Sequence, residues 1–163
     1  MPSLTGQAGT PAKAVRPALG HRRDYRLLRL IPTRWMDNDV YGHVNNVVYY
    51  SFFDTVVNAT LIERGLLDPV SSEVIGLVVE TGCRYAESLS FPETVEAGMR
   101  VAKLGTSSVR YEIGLFSQGR EEAVAEGFFV HVYVDSKTRR PTALPAGLRG
   151  FLETLTGEAG GHD

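Results

Sequence analysis

The sequence predicts an α+β domain in which one long, mostly apolar helix is enclosed by an antiparallel sheet. Three features lead there. Residues 47–64 contain neither Gly nor Pro and are followed by Gly65, the pattern of a single long helix and its stop. Downstream, 74–85, 94–104, 107–117 and 121–135 read as strands, two of them alternating cleanly between apolar and polar residues. The short connection 117–120 contains Gly119, so the last two strands should form a hairpin.

Taken in chain order, residues 24–35 alternate loosely and read as a first strand. The polar, turn-rich segment 37–46 follows, ending in Asn45 and Asn46, both good helix N-caps. In the helix, Val47, Val48, Tyr49, Phe52, Phe53, Val56, Val57, Ala59, Leu61 and Ile62 cover most of the circumference, the pattern of a helix buried on nearly all sides. Val95, Ala97, Met99 and Val101 share one face of their strand, as do Val109, Tyr111, Ile113 and Leu115 on the next. On the last strand Phe128, Val130, Val132 and Val134 oppose Phe129, His131 and Tyr133. Pro145 and the run 146–155 suggest a short terminal helix. The expected organisation is a disordered extension over 1–21, one domain over 22–156 and a flexible tail over 157–163.

Composition narrows the function classes. A formal net charge of −2 argues against a general nucleic-acid binder, which needs a basic surface to neutralise phosphates. Cys83 is the single cysteine, so neither an internal disulfide nor a cysteine metal cluster is available, and a reducing cytoplasm is the expected location. No stretch approaches the roughly 20 apolar residues that span a bilayer. Basic residues without an acidic one before Asp24 keep an organelle transit peptide open. The chain has no G-x-S-x-G elbow, no Gly-Lys pair for a P-loop and no G-x-G dinucleotide fingerprint.

What remains is 37–46, Asp-Asn-Asp-Val-Tyr-Gly-His-Val-Asn-Asn, between a strand end and the start of the buried helix. The first turn of a helix carries unpaired N–H groups and the positive end of the dipole, so it can stabilise the negative charge that acyl transfer develops on a carbonyl oxygen. A carboxylate a few residues upstream can attack the carbonyl carbon or activate water. Composition alone also allows an ordinary turn, since Asp, Asn and Gly cluster in turns for backbone reasons. A calcium loop fails its own test: counted from Asp37, the fifth position is Tyr41 and the twelfth is Val48, where an EF-hand closes with Glu.

The stretch Arg34-Trp35, Asp37-x-Asp39-x-x-Gly42-His43-Val44-Asn45-Asn46-x-x-Tyr49, Phe52-Phe53-Asp54 resembles the 4-hydroxybenzoyl-CoA thioesterase family of the hotdog superfamily, in its acyl-CoA thioesterase form. Later pieces match in the same order: Glu80-Thr81-x-Cys83-x-Tyr85, Phe91-Pro92, 104–109, and Asp135 through Arg140-Pro141 to Leu144-Pro145. The resemblance implies a hotdog fold, an antiparallel five- to six-stranded sheet around one long central helix. It implies edge-to-edge dimers, often assembled as dimer-of-dimers tetramers. Asp39 is then the catalytic carboxylate, as nucleophile or general base, and the Asn46 backbone N–H the oxyanion donor. His43 belongs to the same catalytic group, while Asp37, Asn45 and Tyr49 shape the loop or contact substrate. Glu63, near the far end of the helix, is an unfavourable place for a helix-borne acid.

The implied substrate is an acyl-CoA or an acyl carrier protein thioester; no cofactor or metal is required, because coenzyme A is part of the substrate. Its phosphates need a basic contact, for which Lys137, Arg139 and Arg140, or Arg100 and Lys103, are candidates, with Ser107 and Ser108 approaching from across a dimer. Two alternatives stay open: a hotdog dehydratase or hydratase, and a non-enzymatic binder of acyl thioesters. The first usually has prolines beside its histidine, and here none lies between Pro32 and Pro69.

Overall fold

A computed structural model describes residues 18–157. One five-stranded antiparallel sheet carries the fold, formed by β1 (Leu27–Pro32), β2 (Val74–Tyr85), β3 (Thr94–Leu104), β4 (Ser108–Phe116) and β5 (Ala125–Asp135), in the order β1-β3-β4-β5-β2. Helix α1 (Val48–Glu63) packs on one face, and α2 (Ala146–Glu153) follows the last strand. These are the expected elements in the expected order, and the arrangement is the α+β hotdog architecture.

Burial explains the register. Core-facing Val95, Ala97 and Met99 of β3, with Tyr111, Ile113 and Leu115 of β4, are fully buried, as are Phe53, Val56 and Val57 of α1. Each such side chain removed from water contributes on the order of 2 kcal/mol, which fixes both the helix face and the strand parity. Gly127 on β5 lets the helix approach: a Cβ there would stand 2.2 Å from Phe53 Cε2. The opposite sheet face is recessed at Gly98 and Gly114, where the Tyr25 ring lies.

Three boundaries differ from the sequence reading. β1 stops at Pro32, which has no N–H for the ladder, and Trp35–Asp37 form a 3-10 turn instead of continuing it. β5 begins at Ala125, four residues after the expected start, because 121–123 pair with the N-terminal segment: Arg22 N–H donates to Glu121 O and Ala123 N–H to Gly20 O, and His21 bridges to Glu122. The expected helix run is less enclosed than its composition suggests: Val47, which precedes α1, is 63% exposed, and Ile62 within it 44%. Of the expected N-terminal extension, residues 1–17 lie outside the described residues, whereas His21 bridges to Glu122. Of the expected tail, 158–163 lie outside them as well.

Both sheet edges expose apolar residues, and β2 is the longer. It spans 12 residues, bulges between Val78 and Glu80, and leaves Val78 46% and Val79 60% exposed. Its Tyr85 end lies opposite Ala125, at the start of β5, and its Val74 end opposite Asp135, at the end of β5. The two ends of the sheet therefore hold different residues, and α1 begins at the Tyr85 end.

Candidate active site

The segment 37–46 folds as a loop tied at every turn. Asp37 is 1% exposed; its Oδ2 accepts the Arg34 N–H at 2.7 Å and its Oδ1 accepts Arg34 Nη2 at 2.8 Å and Nε at 3.1 Å. The Asp37 carbonyl accepts Asn45 N–H at 2.8 Å, so both ends of the loop meet. Asp39 N–H donates to His43 O and Gly42 N–H to Asp39 O, closing a tight turn in which Gly42 takes φ 80°, a conformation that costs glycine little. From outside, Ser90 Oγ donates to Gly42 O and Phe91 N–H to Asn38 Oδ1.

This scaffold holds Asp39 half-buried. Its Oδ1 accepts Tyr41 N–H at 2.9 Å, an Asx-turn that fixes the carboxylate's direction, while Oδ2 has no partner among the described residues. Asp39, Tyr41, His43, Val44, Asn46, Tyr49, Tyr85, Ala86, Glu87 and Ser88 line one groove of about 600 Å³. The carboxylate and the helix entrance thus share a concave surface large enough for a thioester.

At the helix entrance, Asn45 Oδ1 accepts Val47 N–H at 3.1 Å, and the Asn45 carbonyl accepts Val48 N–H at 2.9 Å. The Tyr85 hydroxyl donates to the Asn46 carbonyl at 2.8 Å. Of the four polar backbone groups in the two peptides flanking Asn46, three are therefore satisfied. Only the Asn46 N–H has no acceptor among the described residues, and it sits where the helix dipole favours negative charge. That combination can receive an oxyanion.

The candidate residues divide into three groups by position. Asp39, His43, Asn46 and Tyr49 line the groove together; Tyr49 is buried, and its hydroxyl accepts Leu89 N–H at 3.2 Å. Asp37 and Asn45 stand behind it, Asp37 spent on Arg34 and Asn45 on the Val47 N–H; the N-cap of α1 is Val47, not either of the asparagines expected there. Ser107, Ser108, Arg139 and Arg140 are elsewhere: Ser108 opposes Val132, Ser107 O accepts Tyr133 N–H, and Arg140 O accepts Asp135 N–H, all at the opposite end of the sheet. Within one chain these four do not reach the groove.

The other basic candidates also lie off it. Arg100 donates to Glu112 Oε2 at 2.8 Å and to Asp24 O, while Lys103 and Lys137 are exposed. Glu63, at the far end of α1, pairs with Arg29. Sequence reasoning missed Tyr85, Glu87 and Ser88 as groove residues. The available signals were Tyr85's place in the matching stretch Glu80-Thr81-x-Cys83-x-Tyr85 and its parity, which sets it on the helix side of β2 beside Ala125. Among the described residues, no three His, Cys, Asp or Glu side chains stand together as a metal site.

Comparison with known proteins bears on the fold and the superfamily. The thioesterase-like superfamily profile matches residues 33–152. The crystal structure of the PA5185 protein from Pseudomonas aeruginosa strain PAO1 is 54% identical, with a TM-score of 0.82 over 84% of this chain and 96% of that one. The PA2801 protein of the same species, described as a candidate thioesterase, is 28% identical, with a TM-score of 0.72 over 77% of this chain and 96% of that one. The structure of BH1999 gentisyl-coenzyme A thioesterase shares the fold at 22% identity, with a TM-score of 0.67 over 77% of this chain and 99% of that one. No curated protein matches the chain. The chain belongs to the thioesterase-like superfamily, the hotdog-fold thioester hydrolases.

Proposed function

We propose that this protein is an acyl-CoA thioesterase of the 4-hydroxybenzoyl-CoA thioesterase branch, with Asp39 as its catalytic carboxylate and the Asn46 N–H as its oxyanion donor. One observation carries the reading: a carboxylate with a free oxygen and a backbone N–H with no acceptor line the same groove. In the nucleophilic route, Asp39 Oδ2 bonds to the thioester carbon and the C–S bond breaks. The thiolate leaves and takes a proton, and water then cleaves the acyl-aspartyl anhydride to the free acid. In the general-base route, Asp39 takes a proton from water as its oxygen adds to the carbon, and the collapsing intermediate expels the thiolate. In both, negative charge grows on the carbonyl oxygen and the Asn46 N–H receives it. In this reading His43, which lines the same groove, orients the water or the leaving thiol. The reaction needs no resident cofactor, since coenzyme A arrives with the substrate.

The site takes its phosphate contacts from a second copy. Asp39 and Glu87 are the acids of the groove, and Arg120 on its rim is held by Glu87, so one chain offers little to a polyphosphate. Antiparallel pairing of two β2 edges continues the sheet and covers Val78 and Val79. It also reverses direction, setting the partner's Asp135 end beside this chain's Tyr85 end. Ser107, Ser108, Arg139 and Arg140 of a second copy then approach the groove that the first copy's own residues do not reach. Such dimers assemble further into a dimer-of-dimers tetramer. No helix among the described residues is long and apolar enough to cross a membrane. The lone half-buried Cys83 fits the reducing cytoplasm.

The test is thiol release from a panel of aliphatic and aromatic acyl-CoAs and acyl carrier protein thioesters. Release with stoichiometric free acid supports the reading. Enoyl-CoA hydration without thiol release would replace it with a hydratase, and saturable binding without turnover with an acyl-thioester carrier.

A further inference from the structure

Tyr85 ends the edge strand β2, and its ring meets the Tyr49 ring edge-on, with centroids 4.9 Å apart and planes at 80°. Its hydroxyl reaches across to the entrance of α1 and donates to the Asn46 carbonyl at 2.8 Å. Burial, with Cys83 and Tyr50 close by, pushes that hydroxyl's pKa well above its ordinary 10, so the group stays a donor at any pH where the enzyme would be assayed.

The consequence lies in which peptide is held. The Asn46–Val47 peptide is fixed at both ends, its carbonyl by Tyr85 and its N–H by Asn45 Oδ1. The preceding Asn45–Asn46 peptide is held at its carbonyl by Val48 N–H. Every one of these bonds but Tyr85's is made by residues of the loop and the helix itself. Without it, the Asn46–Val47 plane keeps only the Asx bond at its N–H and is free to rock about it. That rocking swings the neighbouring N–H that the reaction uses. An amide dipole aimed at a developing charge contributes to rate only while its direction is fixed beforehand.

We infer that Tyr85 is a positioning residue for the oxyanion donor, aiming the Asn46 N–H by clamping the carbonyl of the same residue to the end of β2. The inference rests on the proposed thioesterase reading and deepens it. It assigns Tyr85 no contact with the reacting atoms. Its removal therefore acts on the transition state, where charge sits on the oxygen, more than on the bound thioester, where little does.

The experiment compares the full-length wild type, Tyr85→Phe and Asp39→Asn, measuring kcat and KM for thiol release with one acyl-CoA. The Phe variant keeps the ring and its packing against Tyr49 and loses only the hydroxyl. Expected are a fall in kcat of about tenfold, smaller than the 10²–10³ seen when an oxyanion donor is removed outright, and a KM within about twofold. A kcat unchanged in Tyr85→Phe, while Asp39→Asn is inactive, overturns the inference and leaves the thioesterase reading standing. A KM that rises with kcat intact also overturns it, because Tyr85 would then be a substrate contact. A wild type that releases no thiol sinks both.

Amide hydrogen exchange on the wild type supplies a readout that needs neither turnover nor a folded variant. The Val47 amide should be protected and the Asn46 amide should exchange freely; protection of Asn46 equal to that of Val47 contradicts the inference. In a folded Tyr85→Phe protein, Val47 exchange should quicken while amides on β4 stay unchanged.

Discussion

His131 offers a test of the core that is independent of the chemistry. It lies on β5 at 3% exposure, stacked against Phe129 with ring centroids 5.5 Å apart and edge-on to Tyr111 at 5.2 Å. Its Nε2 has no hydrogen-bond partner among the described residues, and a Cβ at Gly76 would stand 2.9 Å from its Nδ1. Burial lowers its pKa from 6.5 to about 4. Between those values the folded chain binds fewer protons than the unfolded chain, so stability rises with pH across the window. The contribution is whole above the unfolded value of 6.5 and is lost as pH falls through the folded value of about 4. At 1.36 kcal/mol per pKa unit, the loss from this residue is about 2 kcal/mol between pH 7 and pH 5, and about 3 kcal/mol by pH 4.

Urea unfolding at fixed protein concentration, at pH 7 and pH 5, measures it for the wild type and for His131→Leu, a substitution of similar volume with nothing to titrate. Carboxylates that also respond in this range are common to both proteins and cancel in the difference. The wild type should lose about 2 kcal/mol more than the variant. Equal losses, or a His131 imidazole resonance titrating near 6.5, would refute the reasoning about its burial.

Further outcomes follow from the site and its support. Asp37→Ala removes a buried acceptor of three hydrogen bonds and should cost about 2 kcal/mol in unfolding free energy, with activity falling as the loop loosens. Gly127→Ala drives a Cβ into the Phe53 ring and should destabilise by about 2 kcal/mol, read as a lower urea midpoint at an unchanged slope. Replacing Arg139 and Arg140 together by Ala should raise KM for an acyl-CoA about tenfold, equivalent to about 1.4 kcal/mol of binding, with kcat retained. The same pair should leave an acyl-pantetheine thioester, which lacks the nucleotide phosphates, unaffected.

The parts legible in the sequence are those governed by local rules. Gly65 after a Gly- and Pro-free run marked the end of α1 to within two residues, and the parity of Val109, Tyr111, Ile113 and Leu115 named the buried face of β4. Residues 37–46 stand out because Asp, Asn and Gly make turns and a helix begins beside them. The structure adds that Asp39 and Asn46 share a groove. Position across the fold was not legible. Ser107 and Arg139 look as eligible as Tyr85 in a linear chain. Only the pairing of β2 with β5 shows that Tyr85 is at the site end and the other two at the far end. Tyr85's hydrogen bond spans 39 residues, and no local pattern encodes it. The start of β5 differs for the same reason, since 121–123 are taken by a segment about 100 residues upstream.

Single-turnover thiol release by Asp39→Asn, with folding and acyl-CoA binding verified on the same sample, tests the carboxylate's role most directly. The expected result is unchanged binding with chemistry slowed by about 100-fold or more, the usual scale for losing a positioned acid or base. A folded variant that binds substrate and releases thiol within about twofold of the wild-type rate would remove Asp39 from the reaction.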